Sequence, residues 1–229
     1  MTKRRILDDD DGGEPQRSSA ESGSISISSS VEKQMLPSGL LRYRYRPASW
    51  PPDVHEHDRL GVFLGSLISK LMVATNPRMH PFICVDGQHL DDDFFNRLRE
   101  SQTAWRALLG SVLIPGVHPF RYLPIAYHIT SRQSWDEVAE RFVGTGGTAI
   151  YMSNLGSDEF LNRLIQLLLS RDRDGSTSVF PVYLPSVVLP HLEKAAAASL
   201  KPMLECFQFF IGENPAAQAV DIVGTLEIQ

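Results

Sequence analysis

The chain has 229 residues, of which 42% are hydrophobic, and its formal net charge is −5 at pH 7. This hydrophobic content can fill a sizeable core, so the composition excludes a wholly disordered protein. The acidic balance argues against a nucleic-acid partner, because phosphate binding usually needs a concentrated positive field. Cys84 and Cys206 lie in apolar runs without metal-like or redox-like spacing, which favours buried thiols in a reducing compartment over a disulfide or a nucleophile.

Residues 1–30 are predicted to form a disordered tail. The basic Lys3–Arg5 is followed by the acidic Asp8–Asp11 and not by an apolar segment, so this start does not match a secretory signal. The rest of the tail is rich in Ser, Gly and Glu, with too few apolar residues to offset the entropy of ordering. An alternative is that Ser24–Ser30, which alternates serine with isoleucine, adds an edge strand when a partner is present.

Two segments before residue 80 predict regular structure. Leu40–Arg46 alternates strictly, which predicts a half-exposed strand with Tyr43 and Tyr45 on one face. The arginines between them are expected on a solvated face, and their alternative function is an anion site. Leu60–Ala74 is apolar but shorter than the ~20 residues that a bilayer span needs, so it predicts a core helix and no membrane segment.

The motif His55-Glu-His57-Asp58 resembles the metal-binding core of hydrolases of the metallo-β-lactamase type, in which imidazoles and a carboxylate hold zinc. The further histidine of that pattern is missing, because Leu60 follows Arg59, and no apolar strand precedes the motif. We therefore predict no metal site.

Strand and helix signals alternate from residue 80 onward. The predicted strands are Phe82–Val85, Pro119–Ile129, Thr148–Ser153 and Val179–Leu184, with one or two more in Cys206–Ile211 and Val220–Ile228. The predicted helices are Asp91–Leu109, a helix capped at Ser134, Asp158–Ser170, Ser186–Ser199 and a piece from Lys201. This alternation predicts one α/β domain over residues 31–229, with a largely parallel sheet built from successive βα units and flanked by helices.

Signals for catalysis are sparse. The loop Gly144–Gly147 precedes a strand, whereas a phosphate loop lies between a strand and a helix, so it is predicted to be a turn. Asp86 is the best single candidate, because α/β sheets collect active sites at the carboxyl ends of their strands. Its alternative function is structural, since aspartate before glycine commonly bonds the backbone of a turn. The histidines are scattered along the chain, at positions that include His80, His89, His118, His128 and His191.

The order of features from residue 81 to residue 212 resembles that of the type VI secretion adaptors, a family long catalogued as a domain of unknown function. The landmarks that carry this resemblance are Cys84-Val-Asp-Gly87, Trp105 with Leu108-Leu-Gly110, Tyr122-Leu-Pro124-Ile, Ile150-Tyr-Met-Ser153, Leu161–Leu169, Asp174-Gly175 and Phe180-Pro-Val-Tyr183-Leu-Pro185. In the last landmark the family has an arginine and an aspartate where this chain has Pro181 and Leu184, so polar contacts of those two residues are not carried over.

The resemblance implies a bacterial, cytoplasmic chaperone without a cofactor, which binds a secreted effector and helps to load it onto the spike protein. The competing hypothesis is a small α/β hydrolase or transferase that uses Asp86 with a histidine. The absence of a nucleophile elbow, a metal set or a phosphate loop in the sequence favours the adaptor. Phe207, Phe209 and Phe210 are candidate partner-binding residues, and their alternative role is ordinary core.

Overall fold

The structure is a computed structural model that describes residues 31–48, 54–74, 79–87, 92–100, 105–108, 123–142, 144–171, 177–225 and 228, so the predicted tail lies outside the described residues. The described strands are β1 Val31–Met35, β2 Leu41–Tyr45, β3 His80–Val85, β4 Trp105–Ala107, β5 Ile125–His128, β6 Thr148–Ser153, β7 Leu169–Arg171, β8 Thr177–Val179, β9 Phe209–Asn214 and β10 Ala219–Gly224. The described helices are α1 Val54–Ala74, α2 Asp92–Glu100, α3 Arg132–Phe142, α4 Ser157–Leu168, α5 Pro185–Lys194 and α6 Ala197–Leu204.

Eight of these strands form one sheet, in the order β1-β2-β10-β9-β6-β3-β5-β4. Every pairing that the structure describes in this sheet is antiparallel. The prediction of a largely parallel sheet is therefore wrong, although helices do flank the sheet.

The physical reason lies in which strands become neighbours. The strands β5 and β6 run in the same direction and are joined through α3, which is the crossover that the alternation predicts. However, β3 lies between them and pairs with both in the antiparallel sense. The helix α3 makes β5 and β6 run in the same direction, but it does not make them neighbours. Because β3 lies between them, this split βαβ unit gives an antiparallel sheet.

Both faces of the sheet are covered by helices. The helices α1 and α3 pack on one face, which we call the α1 face, and α4, α5 and α6 pack on the other, the α4 face. Successive residues of the central strands alternate between these two cores. Nearly all residues of β3 and all residues of β6 and β10 are buried as a result. Their continuous apolar sequences suggested a covered parallel sheet, but an antiparallel sheet buried on both faces gives the same pattern.

The helices α1 and α3 pack closely because α1 presents small residues to Trp135. The indole Nε1 of Trp135 donates a hydrogen bond of 3.1 Å to the carbonyl of Gly61, one turn before Gly65. A Cβ atom at Gly65 would lie 2.5 Å from that same Nε1, so no side chain fits there. The predicted core helix Leu60–Ala74 is thus confirmed within α1.

Several predicted elements have different bounds in the structure. The helix expected from Asp91 to Leu109 ends at Glu100, and Trp105–Ala107 is instead the edge strand β4. The predicted strand Val179–Leu184 is wrong, because β8 ends at Val179 and pairs only with β7 in a separate two-stranded ribbon.

The helix after β5 begins earlier than predicted. The Ser131 hydroxyl, not that of Ser134, accepts the capping hydrogen bond, which the Ser134 amide donates at 3.1 Å. The strands predicted from Thr148–Ser153 and from the two C-terminal segments are confirmed as β6, β9 and β10. In the described part of the chain, no helix is both long enough and apolar enough to cross a membrane.

Candidate functional site

The turn after β3 holds the one catalytic candidate that the sequence offered. The Asp86 amide donates to the carbonyl of Gly147, at 3.4 Å. The next residue, Gly87, touches the chain that enters β5, since a Cβ atom there would lie 2.2 Å from the carbonyl oxygen of Leu123. Only glycine allows this approach. Burial raises the pKa of Tyr183, and the Asp86 carboxylate raises it further. Asp86 thus lies where the ends of β3, β5 and the segment before α5 converge.

The structure does not bring Asp86 together with His80 or His128. His80 begins β3 and pairs in register with the end of β6, while Asp86 follows the opposite end of β3. At about 3.4 Å per residue, the two ends are roughly 20 Å apart. His128 ends β5 beside His80, with the two ring centroids 5.3 Å apart.

Of the other three scattered histidines, the structure describes His191. His191 lies on α5 with its ring 5.0 Å from that of Phe180. His89 and His118 lie outside the described residues. The hydrolase or transferase hypothesis, which requires Asp86 with a histidine, gains no geometric support from His80 or His128.

A serine–histidine pair lies at the His80 end of the sheet. The Oγ of Ser157, the first residue of α4, is 3.0 Å from Nδ1 of His128. The imidazole stacks on Phe82, with ring centroids 4.8 Å apart. Burial, reinforced by the neighbouring His80, lowers the pKa of His128 to about 4, so this ring is neutral near pH 7.

Sequence reasoning missed the pair, because no motif connects two residues that lie in a strand end and a later helix start. Its chemical capability is limited. A catalytic serine–histidine pair has a third group that orients the imidazole, and in the described residues no carboxylate hydrogen-bonds to His128. The arrangement ties the end of β5 to the first turn of α4.

Arg42, Arg44 and Arg46 were predicted on a solvated face, and their exposure differs: the Arg46 side chain is 41% exposed, whereas those of Arg42 and Arg44 are 12% and 13% exposed. Arg44 binds Asp221 of β10 through two hydrogen bonds, of 2.6 and 2.7 Å. The Asp221 side chain is fully buried and also accepts a hydrogen bond of 2.7 Å from the Asn214 amide. Arg42 pairs with Glu193 of α5. The guanidinium groups of Arg42 and Arg44 bind carboxylates from α5 and β10. These two arginines therefore stabilise the sheet and do not form an open anion site.

The glycine loop before β6 surrounds a carboxylate of the protein itself. The amides of Gly144 and Gly146 both donate to the side chain of Glu213, the latter at 2.6 Å. Both glycines have positive φ angles, 88° and 73°, which place their amides toward one point. The prediction of a turn is confirmed, and the turn has an anion-binding geometry that is occupied by an internal, buried glutamate.

The structure buries all three candidate partner-binding phenylalanines. Phe209 lies in the core of the α1 face, while Phe207 and Phe210 lie in the core of the α4 face. None leaves more than 1% of its surface exposed. This burial favours their alternative role as ordinary core residues, and the proposals below place no partner contact on them.

The two cysteines are free and buried, as predicted. Burial raises the pKa of both thiols, that of Cys206 to about 12, which disfavours the reactive thiolate. No group of three or more His, Cys, Asp or Glu side chains suited to a metal occurs within the described ranges. The side chains of His55 and His57 lie outside those ranges.

Comparisons with protein-family models, with curated proteins and with solved structures give no match to this chain.

Proposed function

We propose that the protein is a cytoplasmic adaptor of a bacterial type VI secretion system, a chaperone that binds an effector and helps to load it onto the secreted spike protein. The single observation behind this proposal is that the ordered sequence landmarks converge in space. Four of them, which are separated along the chain, make contact in two pairs, one on the α4 face and one at its Asp86 end.

Two contacts join landmarks directly, and a third joins residues beside them. The ring of Phe82, in the strand that leads to the first landmark, stacks on Phe160, the residue before the landmark Leu161–Leu169, with centroids 3.9 Å apart. The hydroxyl of Tyr151, in the fourth landmark, donates to the backbone carbonyl of Val182, in the last, at 2.5 Å. Gly87 approaches the backbone of Leu123 in the third. Landmarks that contact each other form one structural unit, which supports a resemblance to a family with this order of features.

The chemistry of these contacts favours a binding scaffold over an enzyme. The convergent landmarks bury aromatic rings and satisfy backbone groups, and Asp86 has the position expected for an organiser of its turn. Two polar pairs of the α4 face, Arg44 with Asp221 and Ser157 with His128, join groups of the same chain.

The departure from the family pattern has a structural interpretation. Leu184 is the residue immediately before α5, with the extended backbone of an N-cap, and its side chain makes no capping hydrogen bond. Pro185 occupies the first helical position, where proline is favoured. An aspartate followed by proline is well suited to these two positions, so the family's Asp-Pro landmark fits the start of this helix. The chain keeps the proline and replaces the cap.

Deletion of the gene in its native cell tests this function. We expect a lower abundance or secretion of one effector encoded nearby, because the unbound effector is neither protected nor loaded, while spike assembly persists. Re-expression of the wild-type protein should restore delivery. Unchanged delivery of every effector after deletion would contradict the proposal.

A further inference from the structure

We propose that a groove between α1 and α3 receives one large apolar side chain from an acidic segment of the partner protein. This inference rests on the proposed function for the identity of the partner, the effector, but not for the chemistry of the groove. The groove lies on the α1 face, on the other side of the sheet from the converging landmarks.

The groove is bounded by the second half of α1, the first turn of α3 and the three residues that follow β5. It is lined by residues that include Ile68, Ser69, Met72, Val73, Ile129 and Trp135. The bottom of the groove is held in place, because the Trp135 indole packs against Gly65 and donates a hydrogen bond to the Gly61 carbonyl. Its rim is open, since Val73 leaves 85% of its surface exposed.

The volume limits what the groove can take. It measures about 280 Å³. Sites for cofactors and drug-sized molecules measure ~300–1000 Å³, so this groove lies at the lower limit of that range. A single aromatic or branched side chain is a better match, and such anchors supply most of the binding energy in many protein interfaces.

The charge at the rim determines which residues of the partner should flank that anchoring side chain. Among the described residues that line the groove, Arg132 is the one with a charged side chain. Its partner Asp136 lies one turn further along α3, and both side chains are more than half exposed, at 61% and 57%. A pair this exposed is weak, so the guanidinium is available to a second carboxylate. In addition, the first turn of α3 contains no acidic residue to offset the positive end of the helix dipole. An apolar side chain flanked by glutamate or aspartate complements this rim.

Synthetic peptides test the inference on the full-length protein. One peptide carries a single phenylalanine flanked by glutamates, and the other has lysines in place of the glutamates. We expect fluorescence polarisation to show binding of the glutamate peptide at least about tenfold tighter than that of the lysine peptide, because one well-placed charge pair changes affinity by about this factor.

Two variants locate the binding. Arg132→Glu should reverse the preference between the two peptides, and Val73→Glu should weaken the glutamate peptide about tenfold or more. Matched controls are Lys201→Glu, in an exposed pair on α6, and Val62→Glu, an exposed valine on α1 outside the groove. Both controls should bind the glutamate peptide as the wild type does. Thermal unfolding of all four variants checks that they fold.

The outcomes separate this inference from the proposed function. Equal binding of the two peptides, no binding, or equal losses of affinity in variants and controls would contradict the proposed binding site in the groove. If Val73→Glu and Arg132→Glu retain the effector in native cells as well as the wild type does, the adaptor function is supported and the groove is not the effector-binding site. If native cells yield no bound effector but the peptides follow the predicted pattern, the groove is a binding site and its partner is another acidic protein.

Discussion

The two faces of the sheet are stabilised in different ways. On the α1 face, helices fit together by shape, because Gly65 leaves room for the Trp135 indole, which donates to the Gly61 carbonyl. On the α4 face, polar side chains anchor irregular segments between the helices. The hydroxyls of Ser38 and Ser153 donate to the carbonyls of Leu192 and Cys206, at 3.0 and 2.6 Å. The α1 face therefore depends on the close fit of two helices, whereas the α4 face combines an apolar core with directional bonds, so different substitutions should destabilise the two faces.

The largest effect is expected at the buried ion pair beside the α4 face. Asp221→Ala removes the partner of Arg44 and of Asn214, and leaves the guanidinium without its carboxylate. Breaking a buried pair costs several kcal/mol, so the free energy of unfolding should fall by about 3 kcal/mol. Urea denaturation measures this change. The control is Asp136→Ala, which breaks an exposed pair on α3 and should cost ~1 kcal/mol or less. Equal losses would remove the distinction between the pairs.

The next largest effect is expected from added volume on the α1 face. Gly65→Ala places a methyl group 2.5 Å from Trp135 Nε1, and overpacking of this kind costs about 1–3 kcal/mol. Gly61→Ala, one turn earlier, meets only Ala139 at the ordinary distance of 3.4 Å. It should be neutral or stabilising, because alanine favours a helix over glycine by up to about 1 kcal/mol. The same denaturation series compares them, and a neutral Gly65→Ala would show that the helices are not closely packed.

A smaller effect is expected from pH at the His128 end of the α4 face. The pKa of His128 falls from 6.5 to about 4 on folding. Between these values the unfolded chain binds more protons than the folded chain, so the free energy of unfolding decreases as the pH is lowered through this window. His128→Phe keeps a ring to stack on Phe82 but cannot titrate. Its stability should decrease less steeply than that of the wild type over the same window. Parallel slopes would show that His128 is as accessible to protons in the fold as in the unfolded chain.

The smallest effect is a gain in stability at the start of α5. Leu184→Asp supplies the missing N-cap, which typically contributes about 1 kcal/mol. Thermal unfolding should show a modestly higher Tm, and Leu184→Asn should give a similar gain if capping and not charge is responsible. A lower Tm would mean that the leucine side chain contributes more through packing than a cap does.

Local patterns predicted most of the elements. Strict alternation in Leu41–Tyr45 placed the two tyrosines toward the core, and the apolar run Thr148–Ser153 is a strand with the same bounds. The pattern failed where two elements share one apolar periodicity. Trp105 continues the helical spacing of α2, yet pairs as an edge strand with Tyr127, because tertiary pairing overrides local spacing.

Contacts between distant segments were not predictable from a single sequence. Nothing local to β3 indicates that it lies between β5 and β6, and this placement decides that the sheet is antiparallel. The same holds for Ser157 with His128 and for Glu213 with the glycine loop, which are polar pairs joined only by the fold. Asp86 could be identified from the sequence as a candidate turn residue, because an aspartate–glycine pair after a strand is a local signal.

The most direct test of the adaptor function is to isolate the tagged protein from its native cells under mild conditions and identify what is bound by mass spectrometry. We expect one effector encoded nearby to be recovered in near-stoichiometric amount, and an unrelated tagged cytoplasmic protein not to recover it. Repeated isolation without any component of a secretion system would contradict the adaptor function.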